Sequence, residues 1–261
     1  MLQFLLMDDS QKRYQEYLDF IKKYPKYLGN KGDYKNGEIE VITDIALFPK
    51  CEEGAAQLMI EAGTDPVDAK KRSLIGVRDE NRWGVLVCDP LRFSNGKYGT
   101  FVRPVSWGAL DSGIAGVVIA ATLPDGRYIF LESYRPIVRS WCLEFPRGAS
   151  DPGDSLLKNI KNELSEEIGA RILEDPVKIG EIFPDSGFLG SPAVIYKAKV
   201  ELGGISHNET TEAIKGLVFV PKEKVGDLLR TQKYTDSDGR KYEFKDAYTL
   251  SALALLDTPL K

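Results

Sequence analysis

The sequence predicts an α/β protein in which helices cover both faces of a mixed sheet, preceded by a helical extension and a β-hairpin region. Three observations support this: short apolar runs from Trp83 onward, helical periodicity before and between them, and tight-turn signals joining several of the runs. We expect an N-terminal helical and loop extension over residues 1–75, a β-hairpin region over 76–112 and the main domain over 113–261.

The extension is predicted to begin with an amphipathic helix over residues 8–26, in which Tyr14, Leu18 and Ile21 recur at helical spacing. A second helix is expected around residues 53–62. No pattern in this extension predicts chemistry, so we expect it to act in packing or dimerisation.

The strands are predicted from short apolar runs at residues 84–89, 100–105, 116–121, 128–134, 193–200 and 216–220. Asn95-Gly96 is typical of the tight turn of a hairpin and joins the first two strands. The turn Pro124-Asp125-Gly126 joins the next two. A helix over residues 246–256 completes the expected cover of the sheet.

The composition is that of an ordinary globular protein and excludes several function classes. Of the 261 residues, 43% are hydrophobic and 28% charged, and the net charge of −4 gives no footprint of nucleic-acid binding. No apolar run is long enough to span a membrane. Three scattered cysteines suit a reducing compartment, so we expect a cytoplasmic protein. A single histidine excludes a two-histidine metal site and favours carboxylate chemistry.

The segment from Gly148 to Gly169 is the most informative. A glycine-marked loop leads into a predicted helix in which Glu163, Glu166 and Glu167 follow the spacing i, i+3, i+4 and emerge on one side. Like charges placed this way repel one another, and a divalent cation would turn that cost into a gain. Oxygen-only ligands suit Mg²⁺, with Mn²⁺ as the second possibility.

The same helix has an apolar stripe, which places the carboxylates at the rim of a packed core. The stripe consists of Leu157, Ile160, Leu164 and Ile168. Asp154 or Ser155 is expected to cap the start of the helix, and Gly169 to end it in a left-handed conformation.

This segment resembles the box of the Nudix hydrolases, Gly-x5-Glu-x7-Arg-Glu-apolar-x-Glu-Glu-x-Gly-apolar, and so implies a Nudix-like α/β/α sandwich. The box is matched at Gly148, Glu163, Leu164, Glu166, Glu167 and Gly169. Asp154 stands where the family has Glu, and Asn162 stands where it has Arg. Without the charged partner that Arg provides, the neighbouring glutamate is expected to be less firmly oriented, which predicts weaker metal binding or slower turnover than with the full box.

The residues before the box resemble the ADP-ribose pyrophosphatase branch of that family. The resemblance lies in Tyr134-Arg135-Pro136 and in Trp141-Cys142-Leu143-Glu144-Phe145-Pro146-Arg147-Gly148. It implies Mg²⁺-dependent hydrolysis of the pyrophosphate bond of a nucleoside diphosphate linked to another moiety, such as ADP-ribose or a similar sugar nucleotide, with release of a nucleoside monophosphate. It also implies a possible homodimer packed through the Asn95-Gly96 hairpin.

The resemblance implies metal ligands in the box. Glu163 and Glu167 are the expected ligands, and Glu166 completes the cluster or holds a second ion. The family also uses a backbone carbonyl at or just before the box glycine, which falls here on Gly148 or Arg147.

For the residues expected around the substrate, the sequence leaves alternative roles open. Arg135 and Arg147 are expected to clamp phosphate oxygens in a guanidinium fork, or else to form structural ion pairs. Glu144 accepts from substrate, binds metal through water, or caps a strand end. A general base is expected in the loop over residues 203–213, from Glu212 or Glu209, unless both are solvated loop charges.

Two other readings compete with a hydrolase. A non-catalytic Nudix-fold module would bind a nucleotide or regulate without hydrolysis, although three intact acidic positions argue against a loss of function. An unrelated α/β domain with an acidic interaction helix is the third reading.

Overall fold

The computed structural model describes residues 9–203 and 213–257. The chain divides into two compact units, one formed by Met1–Gly113 with Gly187–Gly190 and the other by Ile114–Ser186 with Ser191–Lys261. No helix in the described ranges is both long and apolar enough to cross a membrane.

The first unit combines helices with an antiparallel sheet built on one long strand. Its helices are α1 (Asp9–Lys23), α2 (Pro25–Leu28), α3 (Phe48–Glu61), α4 (Pro66–Arg72) and α5 (Trp107–Ser112). Its strands are β1 (Glu40–Val41), β2 (Gly76–Asn81), β3 (Gly84–Arg92) and β4 (Tyr98–Ser106). Strand β3 pairs with the other three, always antiparallel. The predicted Asn95-Gly96 hairpin is confirmed between β3 and β4, where Gly96 takes a φ of 81°.

A buried carboxylate organises the core of this unit. Asp89 is 4% exposed, and its oxygens accept hydrogen bonds from the hydroxyls of Tyr17 and Tyr27, each at 2.8 Å. The Nε of Arg103 donates to the same carboxylate at 2.9 Å. Burial, together with the Asp89 charge, raises the pKa of both tyrosines well above the usual range, so both remain neutral donors. The charge is therefore compensated where it is buried.

The second unit is built on a mixed sheet. Its main strands are β5 (Gly116–Thr122), β6 (Tyr128–Arg135), β7 (Ser140–Glu144), β8 (Arg147–Ala149), β9 (Ala170–Ile172), β10 (Val177–Ile182), β11 (Ala193–Leu202) and β12 (Ile214–Val220). A separate hairpin consists of β13 (Lys233–Thr235) and β14 (Lys241–Glu243). The helices are α6 (Leu156–Ile168), α7 (Val225–Thr231) and α8 (Ala247–Asp257).

The central strands follow the order β10-β11-β5-β6-β12, with β7, β8 and β9 paired to β6, β5 and β11. Strands β11 and β5 are parallel, whereas the other pairs are antiparallel. The predicted mixed sheet is therefore confirmed.

Alternating residues of the sheet supply two separate cores. On one face, residues such as Val118 and Phe130 pack with α7 and α8, and on the other face their neighbours Ile119 and Leu131 pack with α6. This is the period of two expected of a strand that is covered on both sides. The predicted α/β/α sandwich is confirmed.

Removing the Asp89 carboxylate is expected to destabilise the first unit strongly. Asp89→Ala removes the charged partner of Arg103 and the carboxylate acceptor of two buried hydroxyls, and breaking such a pair costs about 3–5 kcal/mol of unfolding free energy. Asp68→Ala serves as a control, because the Asp68–Arg72 ion pair is long at 3.6 Å and more than half exposed. Its loss is expected to cost less than about 1 kcal/mol. Chemical denaturation measures both, and equal effects would contradict a structural role for the buried network.

Candidate active site

Strand alternation places two charged residues on the face of the sheet that α6 covers. Leu143 belongs to the core beneath α7 and α8, so its neighbour Glu144 takes the opposite face. Arg135 follows Leu131 at even spacing on β6, and Leu131 packs in the α6 core. Glu144 and Arg135 therefore meet on one face, which is the face of the carboxylate helix.

The carboxylate of Glu144 is held between two guanidinium groups. Glu144 is 2% exposed, and Arg135 Nε donates to its Oε2 at 2.8 Å. Arg147 donates from Nε and Nη2 to the two carboxylate oxygens at 3.3 and 3.2 Å. Both arginine side chains keep about a quarter to a third of their surface exposed, and their planar guanidinium groups have the donor geometry that suits an anion.

Arg147 also reaches the acidic helix through its backbone. Its N–H donates to Glu167 Oε2 at 3.2 Å, and Glu167 is 7% exposed. One residue therefore connects the arginine pair to the predicted metal-binding carboxylates.

Gly148 makes room for the other predicted ligand. A Cβ added to Gly148 would lie 1.7 Å from Glu163 Oε1 and 2.2 Å from its Cδ, so the carboxylate of Glu163 lies directly against the glycine. Gly148 itself pairs with Val117 across β5 and β8. Its carbonyl oxygen lies toward Gly116, where an added Cβ would approach it to 2.3 Å. The box glycine thus allows the close approach of helix and strand.

Helix α6 begins and ends as its sequence predicts. The Oγ of Ser155 accepts from Lys158 N–H at 3.2 Å, which is the capping bond. Gly169 ends the helix with a φ of 59°. Asp154, the alternative cap, instead forms an ion pair with Lys158 at 2.9 Å.

The remaining box positions are more exposed. Glu166 and Asn162 both lie on the exposed side of α6, whereas Glu163 is half-buried and Glu167 buried. Glu209 and Glu212, the candidate general bases, lie outside the described residues.

The residues where α6 meets the start of β8 suit a hard divalent cation. Glu163 and Glu167 present oxygen donors one helical turn apart, beside the backbone of Arg147 and Gly148. Within residues 9–203 and 213–257, no three His, Cys, Asp or Glu side chains are gathered closely enough to hold a metal by themselves. Mg²⁺ characteristically takes one or two carboxylates and completes its coordination with water and substrate phosphates, so two carboxylates are compatible with it.

The start of α8 contributes residues that the sequence analysis missed. Asp246 lies 3.8 Å from Arg147 Nη2, and the Tyr248 ring lies under the Arg147 guanidinium at 4.8 Å from centroid to Cζ. Asp246 Oδ2 caps the helix by accepting from Thr249 N–H at 2.9 Å. The Oγ1 of Thr249 accepts from Phe145 N–H at 3.0 Å, which ties the helix to the segment that carries Glu144 and Arg147. In the sequence, an Asp three residues before a Thr indicates a helix cap, but it does not indicate that this segment contacts Arg147.

Two buried polar side chains stand out near the box. Ser150 and Asn159 are 5% and 3% exposed, and neither the Ser150 hydroxyl nor either polar atom of the Asn159 amide has a hydrogen-bond partner in the described chain. Asn159 lies on α6 one turn before Glu163. Such unpaired groups normally cost stability.

Comparison with known proteins supports the fold. No family model matches the chain, and no curated protein matches it in sequence. A solved structure described as the crystal structure of an ADP compounds hydrolase resembles it with a TM-score of 0.54 and 24% identity, over 69% of this chain and 88% of that one. At this identity the likeness establishes a Nudix-like α/β/α fold.

Gly148→Ala is expected to move the Glu163 carboxylate and leave the fold intact. The added Cβ would clash with Glu163 from Cγ (2.7 Å) to Oε1 (1.7 Å), so the whole side chain beyond Cβ must turn away, and we expect Mn²⁺ binding to weaken by about 10- to 100-fold. Titration with Mn²⁺ followed by electron paramagnetic resonance measures the affinity. Gly216→Ala is the control, because no atom lies within 4 Å of a Cβ added there. Unchanged Mn²⁺ affinity in Gly148→Ala would exclude Glu163 as a ligand.

Asn159→Leu is expected to stabilise the protein. Leucine has a similar size and removes the unpaired amide, so the unfolding free energy should rise by about 1–3 kcal/mol. Asn162→Leu, on the exposed side of the same helix, should change stability by less than about 0.5 kcal/mol. Thermal and chemical denaturation measure both, and a large loss of stability in Asn159→Leu would mean that the amide is hydrogen-bonded in solution.

Proposed function

We propose that this protein is a Mg²⁺-dependent pyrophosphohydrolase that cleaves the pyrophosphate bond of a nucleoside diphosphate linked to another moiety. The observation that carries the proposal is the double role of Arg147. Its side chain joins Arg135 on the buried Glu144, and its backbone N–H binds Glu167 of the box helix. Cations for a diphosphate and carboxylates for a metal are thus brought together by one residue.

Arg135 and Arg147 bind the diphosphate. Each guanidinium is planar and presents donors in a fork that matches phosphate oxygens. Their shared contact with Glu144 fixes both before the substrate arrives, which reduces the entropy lost on binding. Glu144 is consequently a positioning residue, because both of its oxygens are already engaged by arginines.

Glu163 and Glu167 would hold the Mg²⁺, with Glu166 or a backbone carbonyl of Arg147 or Gly148 as a further donor. Mg²⁺ held there supplies Lewis acidity that offsets the negative charge developing on the phosphoryl groups. Mn²⁺ is expected to substitute because it favours the same oxygen donors. Glu212 or Glu209 accepts the proton of the attacking water.

ADP-ribose or a related sugar nucleotide is the proposed substrate class, with release of a nucleoside monophosphate. The residues before the box support this assignment, as does the likeness to a structure described as an ADP compounds hydrolase. A homodimer formed through the Asn95-Gly96 hairpin remains a prediction.

A substrate panel with matched variants tests the proposal. ADP-ribose, dinucleotides, diadenosine polyphosphates and sugar nucleotides are incubated with Mg²⁺, and the released nucleoside monophosphate is quantified. Glu167→Gln keeps an oxygen that can accept from Arg147 N–H but removes the charge, so kcat is expected to fall by about 100-fold or more. Glu174→Gln is the control, because Glu174 forms an exposed ion pair with Lys199.

The two remaining readings give different results in the same assay. Nucleotide binding without turnover across the panel would favour a non-catalytic binding or regulatory module. Neither binding nor turnover would favour an unrelated interaction domain.

A further inference from the structure

Glu144 does not hold Arg135 and Arg147 equally. Arg135 contacts Glu144 through two short hydrogen bonds to one oxygen, whereas the bonds from Arg147 are longer, at 3.2 and 3.3 Å. Arg147 is nevertheless the residue that links the two halves of the site. Further contacts restrain its long side chain, and one of them is the Asp246 carboxylate, 3.8 Å from Nη2. Such restraint lowers the cost of binding, since an unrestrained arginine loses up to about 2 kcal/mol of rotamer entropy when it binds a ligand.

The start of α8 supplies one such contact. The Tyr248 ring faces the Arg147 guanidinium, with 4.8 Å between the ring centroid and Cζ. Tyr248 is half-buried and packs against the core beneath α7 and α8, which fixes its ring. Burial raises the pKa of Tyr248 and Asp246 adds to that rise, although Arg147 partly opposes it, so the phenol stays neutral.

The helix that carries Tyr248 is locked to the strand segment that carries Arg147. Asp246 caps the helix through Thr249, and Thr249 accepts from the backbone of Phe145. Phe145 lies between Glu144 and Arg147 in sequence. The ring and the guanidinium are therefore positioned by one continuous hydrogen-bonded unit.

We propose that Tyr248 is a positioning residue of the phosphate clamp. Its ring covers one face of the Arg147 guanidinium by a cation–π contact and so restrains the plane of the group, while Nε and Nη2 bond Glu144. The inference rests on the proposed function, because it assigns Arg147 to the diphosphate. It adds a residue of the C-terminal helix, more than ninety positions from the box glycine, to the binding site.

Binding of inorganic pyrophosphate in Mg²⁺-containing buffer tests the inference by calorimetry, without any need for turnover. Tyr248→Leu is expected to weaken binding by about three- to tenfold, the equivalent of a cation–π contact. Tyr248→Phe keeps the ring and should restore affinity to within about twofold. In an Arg147→Gln background, Tyr248→Leu should have no further effect, because the cation is gone.

A matched control separates positioning from general stability. Phe219 packs beneath the exposed Arg127 in the α6 core, at 5.3 Å between ring centroid and Cζ, so Phe219→Leu removes a comparable pair away from the clamp. We expect Phe219→Leu to lower the unfolding temperature without changing the affinity for pyrophosphate.

The outcomes distinguish the inference from the proposed function. If the wild type hydrolyses a nucleotide derivative and Tyr248→Leu binds pyrophosphate within twofold of the wild-type affinity, only the role of Tyr248 is overturned. An equal loss on Tyr248→Leu in the wild-type and Arg147→Gln backgrounds also overturns it, because the effect would not pass through Arg147. A wild type that neither binds pyrophosphate nor hydrolyses any nucleotide derivative overturns both.

Discussion

The burial of Glu144 is the constraint on which the arrangement of the site depends. A carboxylate withdrawn from water is tolerated only when it is paired and hydrogen-bonded. Glu144 meets this requirement with two arginines that come from different strands and loops, Arg135 from β6 and Arg147 from the start of β8. The cost of burying one charge thereby fixes two others at the rim, where a part of each guanidinium remains accessible. The two guanidinium groups are therefore held in place by contacts within the protein itself.

The missing side chain of Gly148 sets the distance between the acidic helix and the sheet. The carboxylate of Glu163 occupies the space that any larger residue would fill, and the next backbone N–H toward the N-terminus, that of Arg147, is bonded to Glu167. Two acidic side chains one turn apart therefore lie against adjacent backbone positions, Glu163 against Gly148 and Glu167 against Arg147. This explains physically why a glycine at the head of the motif belongs with glutamates fifteen and nineteen residues later.

Local signals predicted much of the fold. Short apolar runs on either side of the Pro124-Asp125-Gly126 turn predicted the β5–β6 hairpin, Asn95-Gly96 predicted the turn between β3 and β4, and Gly169 predicted the end of α6. The short helix Trp107–Ser112 and the two-residue strand β1 were not predicted, because elements of this length carry too little periodicity. The residues of the candidate site were proposed from the box and its flanking residues. Tyr248 was not, since its contact with Arg147 joins positions about a hundred residues apart and leaves no local pattern.

The parallel pairing of β5 with β11 has a consequence for how the second unit assembles. Gly116 pairs with Ala193, and the whole of the box helix lies in the connection between these strands. Bringing such distant segments together costs loop-closure entropy before any contact is gained, and topologies of this kind fold slowly. The parallel pairing of β5 with β11 is therefore expected to form late, while the hairpin of β5 and β6 and helix α6 form early as local structures. Until the parallel pair closes, the edge of β5 stays open to pairing with other chains, so the yield of refolding should fall as protein concentration rises.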